Sequence, residues 1–321
     1  MLHQLNLIAW KLDKVIISNR SRLKLGISSL GEIADKYLQN VNLLTCFGNN
    51  NGVNPEIFCQ FPQTMNLIRV FTIANNGFKE VIRDRILYFI GFFSLLLILA
   101  QRIIPEIAAG THEKILLDVG IGAINILSVI IAIFVGTALI NKEIEKRTLL
   151  MLIPKPISRA ELILGKHLGL TAVLAVTVAI MMGIYLAMLS LSNIDYPTTA
   201  LITAGVYLLL ELSLITAIAI LFGVFTSSIL ATLLSFGVYL MGHFSEDLVE
   251  LGKLSKNASI ESLTTSLYLV LPNLSRLDLK NEAVYGLLPS AGELAAHAMY
   301  GLLYTALLLI ISMMVFAQKE F

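Results

Sequence analysis

From Ala200 to Phe225 the chain reads Ala-Leu-Ile-Thr-Ala-Gly-Val-Tyr-Leu-Leu-Leu-Glu-Leu-Ser-Leu-Ile-Thr-Ala-Ile-Ala-Ile-Leu-Phe-Gly-Val-Phe, with Glu211 its single charged residue. A helix needs about 20 apolar residues to cross the hydrocarbon core of a bilayer, and this run meets that length. Inside lipid every backbone N–H and C=O must be satisfied, which leaves helices and closed barrels as the spanning structures. Five further stretches have the same character: Ile86–Ile104, Leu116–Leu139, Leu168–Leu191, Ser228–His243 and Ala296–Phe316. Ser228–His243 is short, and only the polar triplet Thr226-Ser227-Ser228 joins it to the run before it. Those two spans must form a tight helical hairpin. No stretch shows the alternating period of a barrel strand. The expected fold is all-α, a polytopic membrane protein with six transmembrane helices.

Composition agrees. Of the 321 residues, 56% are apolar and 14% charged, against about 45–50% and about 25% in ordinary soluble domains. A soluble globular protein so poor in charge lacks the means to cover its surface. Disorder requires low hydrophobicity and high net charge, and is excluded on both counts. The net charge of +1 offers no basic face for nucleic acid. Two cysteines, Cys46 and Cys59, make neither a disulfide framework nor a zinc site alone.

Lys and Arg concentrate in cytoplasmic loops and so set orientation. Lys142, Lys146, Arg147, Lys155, Arg159 and Lys166 lie between spans two and three, and Arg69, Lys79, Arg83 and Arg85 lead into span one. The long loop 244–295 instead sets Lys253, Lys256, Arg276 and Lys280 against Glu246, Asp247, Glu250, Glu261, Asp278, Glu282 and Glu293. Both termini are therefore expected in the cytoplasm, with loop 244–295 extracytoplasmic.

Residues 1–64 stand apart. They hold both cysteines, the only tryptophan, Trp10, and the run Asn49-Asn50-Asn51-Gly52. Lys11, Asp13 and Lys14 interrupt the apolar stretches, so there is no signal peptide. They read either as a cytoplasmic extension or as sequence preceding a true start at Met65, and no function is assigned to them. Over 65–85, Leu67, Phe71, Ala74, Phe78, Val81 and Ile82 recur at helical steps, with Arg69, Thr72, Asn76, Lys79 and Arg83 on the other face. This predicts an amphipathic helix lying on the inner leaflet and feeding span one.

The cytoplasmic loop 141–166 carries the strongest signal. Glu143, Glu145, Lys146 and Arg147 continue span two past the lipid as a charged helical turn. Thr148 to Ile153 is apolar, with Leu149, Leu150, Leu152 and Ile153 too few to span and exposed unless something covers them. Pro154 and Pro156 break the helix. Ser158 with Glu161 forms the pattern of a capping box that opens the next helix. A short apolar helix flanked by both charge signs suits docking into a groove on a partner; anchoring of two helix ends in lipid headgroups is the other reading.

These residues resemble a known family. Glu143-x-Glu145-x-x-Thr148-Leu149-x-x-Leu152, then Pro154-x-Pro156-Ile157-Ser158-Arg159 and Gly165-Lys166, is similar to the signature of ABC-2 type transporter permeases, including those of the multicopper-enzyme-maturation type. The lead-in from Met65, the Thr226–Ser228 hairpin and Leu271-Pro272-Asn273-Leu274-Ser275-Arg276 add to the likeness, which covers about residues 65 to 321. Arg147 stands where the family often has Gly. The resemblance implies a permease subunit in a prokaryotic inner (plasma) membrane, paired with a second copy or a related permease. A separate cytoplasmic ATPase carrying ATP and Mg would drive export through 141–166. On this reading Glu143, Glu145, Arg147, Thr148, Leu149, Leu150, Leu152, Ile153, Pro154, Ser158, Arg159 and Lys166 couple to the ATPase, and the chain binds no cofactor.

The chain has no Gly-x-x-x-x-Gly-Lys-[Ser/Thr] loop. Gly165-Lys166 is followed by His167 and has Ala160 where the first glycine belongs. His-Glu-x-x-His, Cys-x-x-Cys and Gly-x-Ser-x-Gly are missing too, so neither a catalytic centre nor a metal site is expected. Glu211, in the middle of span four, costs at least about 2.5–3.5 kcal/mol unless protonated, paired or facing water. It either lines a pathway or hydrogen-bonds a neighbouring helix. His243 and His297 are read as interfacial, and the Met181-Met182 and Met313-Met314 pairs as packing residues. Two rival readings remain: an ion-coupled secondary transporter using Glu211, and a non-transporting scaffold.

Overall fold

The computed structural model describes residues 67–84, 86–108, 110–145, 158–255 and 257–318. Every regular element among them is a helix: α1 Leu67–Asp84, α2 Ile86–Ile107, α3 His112–Glu145, α4 Arg159–Leu191, α5 Thr198–Phe225, α6 Ser228–His243, α7 Ser245–Leu254, α8 Ala258–Val270, α9 Lys280–Tyr285 and α10 Ala291–Gln318. Five of these, α2, α3, α4, α5 and α10, are long and apolar enough to cross a membrane, and α6 with α7 forms a sixth candidate bent by 66°. This is an integral membrane protein, all-α as the hydropathy demands. Residues 1–64 and 146–157 lie outside the described residues.

Helix α5 is the centre. It packs against α3, α4, α6, α9 and α10, and 72% of its most apolar window is buried inside the protein, against 17% for α2. On α2, Phe92, Leu95, Ile98 and Ile103 stay exposed, the kind of apolar surface that faces lipid or another protein. Helices α3 and α4 run for 34 and 33 residues, about 50 Å each at 1.5 Å per residue. A hydrocarbon core is about 30 Å thick, so both extend beyond it. Their shared end, with Glu145 and Ser158, is called the near end below, and the opposite one the far end.

Helix α4 begins as its capping box requires. The Ser158 Oγ accepts the Glu161 N–H at 3.1 Å, and Glu161 Oε2 accepts the Ser158 N–H at 2.9 Å. The α5–α6 hairpin turns through Thr226 and Ser227, with the Thr226 N–H donating to the Phe222 carbonyl.

Two stretches outside the spans carry structure of their own. The stretch 244–295 is not a plain loop: it folds α7, α8 and α9. Asn257 caps α8 by accepting the Ser259 N–H, and Gly286 ends α9 at a φ of 68°, the left-handed region that favours glycine. In helix α1, Val81 of the expected apolar stripe is buried and Ala74, Phe78 and Ile82 are partly buried. Val70, Gly77 and Val81 turn inward, while Leu67 and Phe71 are 77% and 76% exposed beside Ile68. The reason lies in α4, as follows.

Candidate functional site

Two places concentrate what the sequence singled out. At the near end, α1 lies along α4. A Cβ on Gly165 would sit 2.7 Å from the Ile73 side chain, and one on Gly169 would sit 2.7 Å from the Ala74 backbone carbonyl oxygen. Two glycines one helical turn apart thus cut a notch in α4, and the α1 backbone enters it. Small residues at this spacing let membrane helices approach to backbone contact. Because Ala74 must face the notch, Val70 and Val81 follow it inward, and Leu67 and Phe71 swing out.

Lys166, between those glycines, is buried against the same helix, its Nζ 3.9 Å from Glu80 Oε2. Gly165-Lys166 is mid-helix, and its geometry is that of a packing notch, not of a phosphate cradle. His167 turns into the bundle, where its Nε2 lies 3.0 Å from the Ser213 carbonyl oxygen. Of the loop residues, Glu143 and Glu145 stand on the last turn of α3, and Ser158 and Arg159 at the start of α4. Arg147, Thr148, Leu149, Leu150, Leu152, Ile153 and Pro154 lie outside the described residues.

The second place is the interior. Glu211 is 1% exposed and is held from two helices. His243 Nε2, at the end of α6, is 2.9 Å from its Oε1, and Asn125 Nδ2, on α3, is 3.5 Å from its Oε2. The Tyr239 hydroxyl donates to Asn125 Oδ1 at 3.2 Å, and the Tyr239 ring packs edge-on to His243 at 4.7 Å. On its other side, His243 Nδ1 is 3.8 Å from Asp278 Oδ2, which Lys280 Nζ approaches to 2.9 Å. A carboxylate, an imidazole, a second carboxylate and an ammonium therefore alternate from the middle of α5 to the start of α9. Such alternation is how a buried charge is tolerated in low dielectric.

The sequence singled out Glu211 but placed His243 at an interface, whereas the imidazole faces inward. The reason is helix length. Glu211 stands fourteen residues before the end of α5 and His243 fifteen after the start of α6, about 21 and 23 Å from their shared turn. The short α6 thus ends level with the middle of α5. Asn125, a polar residue deep in a span, was a readable signal; Asp278 and Lys280 carried none. His297 Nδ1 is buried with no hydrogen-bond partner in the structure. Among the described residues, no group of three or more His, Cys, Asp or Glu is placed to hold a metal.

Residues 71–321 match the family described as ABC-2 family transporter protein. The match does not single out the multicopper-maturation subgroup. No curated protein matches the chain.

Proposed function

Since the chain belongs to the ABC-2 family of transporter proteins and is a membrane permease component, we propose that it is the transmembrane subunit of an ATP-driven exporter, worked by a separate cytoplasmic ATPase through the segment 141–166. The observation that carries this reading is the pair of long helices α3 and α4. Both reach past the hydrocarbon thickness at the near end, and the segment 146–157 joins them there. A force applied to that segment acts on two stiff rods that run the depth of the bundle.

The near end is the cytoplasmic one, where the Lys and Arg excess lies, and both termini lie on that side of a prokaryotic inner membrane. Two such chains, identical or related, assemble with two ATPases, which bind ATP and Mg. Closure of the ATPase pair pushes on Thr148 to Ile153. Glu143, Glu145 and Arg147 form the charged rim that sets the partner's orientation, while Pro154, Ser158 and Arg159 fix the direction in which α4 leaves the contact. Lys166 acts one step further in, by fastening α1 to α4. The exposed Leu67, Ile68 and Phe71 then meet the inner leaflet. The subunit contributes no catalytic group of its own.

Burial of Leu149, Leu150, Leu152 and Ile153 in an ATPase groove contributes about 1.5–3 kcal/mol per side chain. Replacing Leu149 and Leu152 together by Ser detaches the ATPase and leaves the spans inserted. Co-purification of the ATPase with that variant at the parent yield would overturn the assignment. Lys in place of Glu145 weakens coupling, more so at low salt where like-charge repulsion is less screened. Stimulation of ATPase activity in the reconstituted complex, screened over lipids, peptides, drugs and copper-handling factors, identifies the substrate.

A further inference from the structure

The short α6 leaves a gap. It ends at the depth of Glu211, whereas α5 continues for thirteen more residues toward the outer face, about 20 Å. The α6 axis does not continue into that space, because α7 leaves at 66°. Residues 272–285 occupy the space instead. The Leu274 N–H donates to the Gly242 carbonyl at 3.2 Å, and a Cβ on Gly242 would come within 2.8 Å of the Pro272 carbonyl oxygen. The Asn273 N–H donates to the Tyr300 hydroxyl of α10 at 2.8 Å, and Leu277 lies against Gly301. Helix α9 then rests on α3 and α5, with Ala283 and Val284 buried. This segment touches α3, α5, α6 and α10 at their outer halves and so plugs the bundle.

The apolar contacts among these are non-directional, while the two backbone hydrogen bonds tie residues 273 and 274 to α10 and α6. A side-chain chain leads from the plug to the central helix: Glu211 to His243 at 2.9 Å, then His243 to Asp278 at 3.8 Å. The two steps differ. Glu211 is almost wholly buried and His243 16% exposed, so neither is released to water without cost. Asp278 is 18% and Lys280 28% exposed, and they keep each other when they move. The longer step is therefore where the connection parts.

We propose that residues 272–285 are a movable outer plug, latched shut by Asp278 against the Glu211–His243 pair, and that the plug lifts by separation of Asp278 from His243 while Glu211 and His243 stay together. Glu211 and His243 are positioning residues here: they hold the plug and do not touch what passes. The proposal rests on the outward orientation given above.

The test uses the full chain with Cys46 and Cys59 replaced by Ser. Four single cysteines are introduced: Asn281→Cys, exposed on the plug; Ala283→Cys and Val284→Cys, buried beneath it; and Leu189→Cys, buried at the outer end of α4. Each is labelled with a membrane-impermeant maleimide in intact cells and in inside-out vesicles. In the Asp278→Asn and His243→Gln backgrounds, Ala283→Cys and Val284→Cys label about threefold faster than in the parent, the scale of one lost, partly exposed polar contact. Leu189→Cys labels at its parent rate. Unchanged labelling at both buried plug positions overturns the latch, and so does a parallel rise at Leu189→Cys, which would mean general loosening. If Asn281→Cys labels only in inside-out vesicles, the orientation is wrong, and the same rate comparison made on that face still decides the latch.

Discussion

The seat of α1 on α4 and the plug in the outer half of the bundle solve the same problem by opposite means. Each fixes a segment that is not itself a full membrane span. At the seat, shape leads the fixing: Gly165 and Gly169 admit the backbone of α1 at Ala74, and the half-exposed Glu80–Lys166 pair lies at the edge. At the plug, polar groups share the fixing: backbone hydrogen bonds at Asn273 and Leu274 hold one end, and four polar side chains connect α5 to residue 278 and to Lys280. A notch filled by backbone has no second arrangement of similar packing, so α1 and α4 move as one piece. A polar contact exchanges with water, so a segment held by one separates and returns. The difference suits a stiff input on one face and a releasable closure on the other.

The largest effect is expected at the buried pair. His243→Ala leaves Glu211 without its nearest partner, and leaving a buried polar group unsatisfied costs about 1–3 kcal/mol, more where that group is charged. Thermal unfolding of the purified protein in detergent measures this loss. Adding Glu211→Gln to His243→Ala recovers part of it, because the orphaned carboxylate is gone and the amide keeps its shape. Equal melting of the single and double variants would mean that the two residues are not coupled, and the contrast between the two regions would fail on the charged side.

Next in size is the seat. Gly169→Leu drives a side chain into the backbone of Ala74, where nothing flexible gives way, and overpacking of this kind costs about 1–3 kcal/mol. The same unfolding assay reports the loss, and proteolytic cleavage within α1 reports its displacement. A silent Gly169→Leu would break the comparison from the other side, since a notch that tolerates leucine is not a notch.

What was legible in the sequence follows the range of the forces involved. The long spans were legible because lipid demands that each satisfies its backbone within itself, so Ala200–Phe225 could be read without knowing its neighbours. The capping box at Ser158 and Glu161 was legible because its two bonds join residues three apart. The inner polar chain was not. Asn125, Glu211, His243 and Asp278 come from three spans and a connecting segment, and the short α6 that brings His243 inward looked only like a truncated span. Which residues of α1 pack against the protein was hidden for a like reason: Leu67 and Phe71 fit an apolar stripe as well as Val70 does, and the choice was made by glycines far along the chain. A third effect tests the legible part. Ser158→Ala removes the acceptor for the Glu161 N–H and costs about 1 kcal/mol, read as a lower melting temperature with the ATPase still bound.

The smallest effect is expected at Glu80, and its smallness is informative. Glu80 is 48% exposed and 3.9 Å from a Lys166 ammonium that is itself 9% exposed. Ion pairs with one solvated partner contribute at most about 1 kcal/mol. Glu80→Gln should therefore shift the melting temperature little, and less at high salt than at low. Lys166→Met gives the sharper reading. A lysine that reached an ATPase directly would take ATPase co-purification with it when replaced. A lysine turned against α1 leaves co-purification at the parent yield and instead raises the rate of proteolysis in α1, because one contact fastening that helix to the notch is gone. Loss of the ATPase from Lys166→Met with α1 still protected would put Lys166 on the docking surface and separate the seat from the coupling route.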